Sequence, residues 1–175
     1  MLRKILTYPN PILRKKSEPV VDFDDELRTF LDDMYETMIA KSGVGLAAVQ
    51  VGVLKNILLI NLPNDDEEGL QEKKNLIEAI NPVLKQKDGE ILFKEGCLSI
   101  PKFYAEVKRA NDIVVEFYDR FGAKQSMEAS GFLAVVWQHE MEHLKGHLFI
   151  EKLSFNKRQK FEKDYKKMQK VKKTS

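Results

Sequence analysis

The sequence predicts an α+β domain, with antiparallel or mixed β-sheets packed around a central buried helix and a further helix at the C-terminus. Three observations carry this expectation. Apolar residues recur at three- and four-residue steps between Asp24 and Lys41, short runs rich in Val, Ile and Phe follow, and residues 131–137 are apolar on every side of a helical wheel. At 175 residues, with no internal repeat and no flexible linker, one domain spanning residues 1–175 is expected, its last part, 156–175, forming a basic helix or tail.

After an extended start punctuated by Pro9, Pro11 and Pro19, Leu27, Phe30, Leu31, Met34 and Met38 fall on one face of a helix over Asp24 to Lys41. Asp22 or Asp24 is placed to cap its start, and Gly43 follows its end. Asn56 to Asn61 reads as a short buried strand, and the acidic segment Leu62 to Asn75 as a surface loop. A strand over Leu76 to Lys85 is expected to turn at Asp88-Gly89 into a partner beginning at Ile91. Asp112 to Tyr118 forms another strand, turning at Asp119 to Gly122 and returning through Gln125 to Ala129. Ser130 is expected to cap a helix running from Gly131 to about Lys145 and stopped by Gly146. From Phe155 to Lys173 the chain reads as a basic helix, with Phe155, Phe161, Tyr165 and Met168 available for packing.

Hydrophobic residues make up 43% of the chain and charged residues 32%, a globular composition that is neither collagen-like nor disordered. No apolar run approaches the roughly 18 residues of a membrane span, and no signal-peptide core precedes Pro9. A single cysteine rules out an intramolecular disulfide, so a reducing, cytoplasmic setting is expected. The formal net charge of +2 gives no reason to expect DNA as a partner.

The sharpest chemical signal is His139-Glu140-Met141-Glu142-His143. Histidines four apart on a helix are offset by about 40° and one turn, so both rings reach one ion. Burying two histidines and a glutamate costs several kcal/mol unless they are paired or metal-bound, and the apolar run before them argues for burial. A catalytic site usually has a third protein ligand. Downstream, Glu162 reads better as a solvated charge and His147 as an exposed residue beyond the helix end. Upstream, Cys97 lies beside Gly96 and near Glu95, and with the two imidazoles would leave one coordination position open. Gly43 to Gly52 contains a G-x-G-x-x-A pattern, but it follows a helix and leads toward a strand, the reverse of a dinucleotide site. A loop of small side chains ending in Gln50 instead suits a wall facing a substrate.

Together, Gly43-Val44-Gly45-Leu46-Ala47-Ala48-Val49-Gln50, Glu95-Gly96-Cys97-Leu98-Ser99 and Gln138-His139-Glu140-Met141-Glu142-His143 resemble, in order and spacing, the three signature motifs of the peptide deformylases. The resemblance extends over essentially the whole chain. It implies removal of the N-formyl group from formyl-methionyl nascent peptides, with release of formate. By the same resemblance Cys97, His139 and His143 bind a divalent ion, Fe²⁺ as the native metal with Zn²⁺, Ni²⁺ or Co²⁺ tolerated. Glu140 takes and returns the proton, while the Gln50 side-chain amide and the Leu98 backbone N–H stabilise the oxyanion. Val44, Gly45 and Gly96 would bond the peptide backbone. Phe93, Phe132, Val135 and Val136 would line the methionine pocket, and Glu95 and Arg109 would form a supporting ion pair. Glu142 stands where many members carry aspartate, Phe93 and Phe132 are bulkier than the usual aliphatic residues, and Lys102-Phe103-Tyr104 lacks an arginine used by some members.

Two other readings remain at this point. A zinc peptidase using Glu151 or Glu162 would leave Cys97 and Gln50 unexplained. A structural metal site with an RNA-binding tail would need a fourth protein ligand, and none is evident. The nine basic residues between Lys157 and Lys173 read first as a solvated helix face, and second as a weak ribosome contact.

Overall fold

The computed structural model describes residues 1–174; Ser175, the end of the expected tail, lies outside the described residues. Helix α1 (Asp25–Ala40) starts where Asp24 accepts a hydrogen bond from the Leu27 N–H at 2.9 Å, so of the two expected caps Asp24 is the one used. Strands β1 (Gly45–Ala47), β2 (Ile57–Ile60), β3 (Ile77–Asp88), β4 (Ile91–Cys97), β5 (Ile100–Arg109), β6 (Asp112–Tyr118) and β7 (Lys124–Ser130) follow. Helix α2 (Phe132–Leu144) then carries both histidines, and α3 (Phe155–Thr174) ends the described chain.

The strands form two antiparallel sheets, one in the order β1-β2-β3-β6-β7 and the other the β4–β5 pair. Strand alternation explains why β2 reads as an unbroken apolar run: successive side chains point to opposite faces, and both faces are covered. Ile57 and Leu59 pack with Leu27, Leu31, Met34 and Met38 of α1. Leu58 and Ile60 pack with Val136, Trp137, Met141 and Leu144 of α2. A third cluster joins Ile100 and Val107 of β5 to Leu13, Phe149, Phe161 and Tyr165. The helix bearing the two histidines is therefore held between the large sheet and the β4–β5 hairpin.

Four local expectations are corrected. Asp88-Gly89 does not close a hairpin: β3 pairs with β6, β4 pairs with β5, and the turn passes the chain from one sheet to the other. Ser130 does not cap α2; it ends β7, and its hydroxyl donates to Asp112 at 2.6 Å, leaving Gly131 at the helix start. The Gly43 to Gly52 segment is not a bare loop, since it holds β1 and a 3₁₀ turn over Ala48–Val51. Phe155 does not pack but stands 73% exposed, and α3 is anchored by the buried Phe161 and Tyr165. Gly146 does end α2, at φ 81°, where an added Cβ would run into the Arg14 carbonyl.

Candidate metal centre

One turn of α2 brings His139 and His143 to the same face, and their Nε2 atoms lie 3.2 Å apart. The third partner comes from the other sheet. Between the Glu95–Ala105 and Cys97–Ile100 pairs, the single Gly96 of β4 faces Pro101 to Tyr104 of β5, so the irregularity lies on β5, and Cys97 Sγ lies 3.3 Å from His143 Nε2. The ligand atoms of Cys97, His139 and His143 all fall within 4.8 Å of one another. Tetrahedral nitrogen and sulfur ligands of a divalent ion sit about 3.3–3.6 Å apart, so this donor set fits one metal ion with a further position open.

The groups behind the triad fix its orientation. His139 Nδ1 donates to Glu95 at 2.7 Å, which leaves its Nε2 lone pair facing Cys97 and His143. Arg109 grips Glu95 with two bonds of 2.6 and 2.8 Å, the pair being almost fully buried. Burial pushes the Glu95 carboxyl up, but bonds from Arg109 and His139 outweigh it and hold it below the usual carboxylate range. Arg109 also reaches Glu142 at 2.9 Å, and Lys152 meets the same oxygen at 3.0 Å. That pair of contacts gives Glu142 a definite role as a counter-charge to Arg109. Burial opposes charge on both imidazoles. Contacts with Cys97 and Glu95 nevertheless raise the proton affinity of His139, whereas burial and the neighbouring His139 keep His143 neutral.

Glu140 sits beside the triad, 4% exposed, and burial raises its pKa to about 7. Its Oε2 is buried with no hydrogen-bond partner, and its other oxygen lies where a Cβ on Gly45 would be only 2.5 Å away. An orphaned carboxylate oxygen beside a three-ligand cluster is placed to exchange a proton with water.

Gln50 is held from two sides. Its Oε1 accepts from the Ala47 N–H at 2.9 Å, and its Nε2 donates to Ser99 Oγ at 3.0 Å and approaches Cys97 Sγ at 3.6 Å. Ser99, fully buried, was not singled out from the sequence, because nothing local to residues 95–99 reveals its contact with a side chain 49 residues away. The Arg109–Glu142 contact was missed for the same reason.

A cleft of about 820 Å³ opens onto these groups, lined by Val44, Gly45, Gln50, Gly96, Cys97, Leu98, His139 and Glu140 among others. Phe93, Phe132, Val135 and Val136 do not line it. Phe93 stacks on Phe132, with ring centroids 4.8 Å apart and planes within 15°; Val135 and Val136 are buried on α2, Val136 within the main core. Of the alternative ligands, His147 is exposed and pairs with Glu151, and Glu162 pairs loosely with Arg158 on α3. Neither belongs to the cluster.

Two helical histidines and a thiol converging on one point, with a buried carboxylate alongside, are the equipment of a metal-dependent hydrolase of the H-E-x-x-H type. The family model for polypeptide deformylase matches residues 2–159. The peptide deformylase of Wolinella succinogenes is 57% identical over 167 residues, covering 95% of this chain and 97% of that protein. That of Campylobacter jejuni is 56% identical over 171 residues, covering 97% of each. The crystal structure of a peptide deformylase from Legionella pneumophila superposes with a TM-score of 0.89 at 39% identity, over 100% of this chain and 99% of the other. The chain belongs to the peptide deformylase family.

Proposed function

We propose that this chain hydrolyses the formamide at formyl-methionyl N-termini of newly synthesised proteins, releasing formate, with Glu140 as the proton carrier of the reaction. The observation that carries the reading is the unpartnered Glu140 Oε2 beside the Cys97–His139–His143 cluster. These three residues would hold a divalent ion, which when bound supplies Lewis acidity, polarising the formyl carbonyl and making water a better nucleophile. We take Fe²⁺ as the native ion, with Zn²⁺, Ni²⁺ or Co²⁺ as substitutes, because a thiolate with two imidazoles suits these borderline cations.

Glu140 removes a proton from water as its oxygen adds to the formyl carbon. The Gln50 amide and the Leu98 backbone N–H receive the negative charge on the formyl oxygen. One such donor is typically worth about 3 kcal/mol. As the C–N bond breaks, Glu140 passes its proton to the departing amine, and formate leaves. Glu95 and Arg109 keep His139 in the tautomer that presents Nε2. Strand β1 is an edge strand, so an extended peptide can lie beside Val44 and Gly45 with Gly96 opposite. Phe132 and Val135 precede His139 by seven and four residues, on the same side of α2. With Phe93 and Val136 they are assigned to the methionine side chain, as residues of β4 and α2 that lie outside the cleft lining in this structure.

We assign the protein to the cytoplasm, where a lone thiol stays reduced; no helix among the described residues is long and apolar enough to cross a membrane. The basic face of α3 is offered as a weak contact with ribosomal RNA. Because Phe161 and Tyr165 belong to the core, the suitable test is replacement of exposed Lys163, Lys166, Lys167 and Lys170 by Gln rather than truncation. Reduced ribosome co-sedimentation is expected, and unchanged co-sedimentation removes the assignment.

The reaction is tested by formate release from a formyl-Met-Ala-Ser peptide. Glu140→Ala should keep its metal and lose turnover, and a Glu140→Ala protein turning over at the wild-type rate would contradict this mechanism.

A further inference from the structure

The cleft that reaches Cys97, His139 and Glu140 is also lined by Arg3, Lys4, Lys41 and Lys102. Against these four cations its lining contains a single carboxylate, the buried Glu140. Arg3 is committed, since it bonds Asp33 at 3.0 Å and lies over the Phe30 ring. The ammonium groups of Lys4, Lys41 and Lys102 are exposed and enter no ion pair among the described residues. Some exposed lysines elsewhere meet carboxylates, as Lys108 meets Glu90, and others such as Lys15 and Lys87 meet none among the described residues, so what sets these three apart is that they share one cleft with a single carboxylate in its lining.

The three lysines come from different parts of the chain and share this one opening. Lys4 lies on the N-terminal segment, Lys41 at the end of α1, and Lys102 near the start of β5. Lys102 is held at φ 63°, within the stretch of β5 that has no partner on β4. A peptide lying extended along the open edge of β1 advances about 3.3 Å per residue. With its formyl group at Glu140, its next few residues therefore run through the cleft that these lysines line.

From this we propose that the cleft carries a carboxylate-selecting subsite: Lys4, Lys41 and Lys102 favour substrates with Asp or Glu among the second to fourth residues after the formyl group. The inference rests on deformylation being the reaction and adds a substrate preference to it. Exposed charges act at long range and are screened by salt, so the preference is modest, falls on KM, and weakens as ionic strength rises.

The test uses metal-loaded full-length protein and C-terminally amidated formyl-Met-Ala-X-Ser peptides, with X as Glu, Gln or Lys; amidation removes the terminal carboxylate as a rival source of charge. The expected kcat/KM for Glu exceeds that for Gln by about three- to tenfold at low salt and that for Lys by more. The difference is expected in KM and shrinks at high salt. In a Lys4→Gln, Lys41→Gln, Lys102→Gln protein the Glu-to-Gln ratio falls toward one. A wild-type ratio of one or below, or a ratio that survives in the triple variant, overturns the subsite while leaving deformylation standing. Failure of every peptide to release formate overturns the reaction on which it rests, and the subsite with it.

Discussion

Gly45 is the most exposed point of the mechanism to a small change. A Cβ at this position would sit 2.5 Å from Glu140 Oε1 and 2.9 Å from both Cδ and Cγ. Ordinary contact begins near 3.4 Å, so in Gly45→Ala the carboxylate must retreat by about 0.9 Å. The substitution strains no backbone, because Gly45 is an ordinary strand residue whose φ is not positive. The atoms met first are all those of the proton carrier. A misplacement of about 1 Å typically costs ~10²-fold in rate, equivalent to about 2.7 kcal/mol in the barrier. Steady-state formate release from formyl-Met-Ala-Ser should therefore show kcat down about a hundredfold, with metal content unchanged. A lost backbone contact at β1 would instead raise KM. If Gly45→Ala keeps kcat within about threefold, or changes only KM, the close packing of Gly45 against Glu140 does not govern proton transfer.

Three further outcomes follow from the contacts around the triad. If Ser99 acts only by holding Gln50, Ser99→Ala should lower kcat about tenfold in the wild-type background and have no effect on top of Gln50→Ala; additive losses in this double-mutant cycle would exclude that role. Arg109→Met leaves Glu95 buried without its cation, a loss of roughly 3–5 kcal/mol that urea denaturation measures, and chelator competition should show metal affinity down 10- to 100-fold as His139 loosens. In metal-free protein, the pKa of Glu140, raised by burial to about 7, makes its contribution to stability fully present below the ordinary value of 4.5 and lost as pH rises through 7. Glu140→Gln should thus gain on wild type between pH 5 and 8 by up to about 3 kcal/mol, and parallel pH–stability curves would refute the shift.

Period and composition made most of the elements readable. The three- and four-residue spacing from Leu27 to Met38 marked α1, and its cap was one of two aspartates read from the sequence. The all-apolar opening of α2 correctly signalled a largely buried helix: Ala134, Val135, Val136 and Trp137 are buried, while Phe132 at its start is exposed. Strand pairing was not readable. Asp88-Gly89 has the chemistry of a hairpin turn, but β4 pairs with β5 instead, through the two-residue turn Leu98-Ser99, which carries neither the glycine nor the asparagine that marks such a turn in sequence. Ser130 has a capping side chain, yet Asp112 across the β6–β7 ladder claims its hydroxyl.

At the centre itself the same division holds. The helical spacing of His139 and His143 is local, and so was legible. Cys97 was suggested by its being the one thiol in the chain, and its link to Glu95 and Gln50 by the resemblance of three motifs. The Ser99–Gln50 bond, the Glu142–Arg109 contact and the ring of lysines around the cleft each join residues distant in sequence. Those contacts exist only once the two sheets have closed on α2.

X-ray absorption at the metal edge of anaerobically purified protein tests the central claim most directly. One sulfur at about 2.3 Å and two imidazole nitrogens at about 2.0–2.1 Å are predicted around a single ion, with the sulfur lost in Cys97→Ala. A coordination shell without sulfur in the wild-type protein would contradict the account.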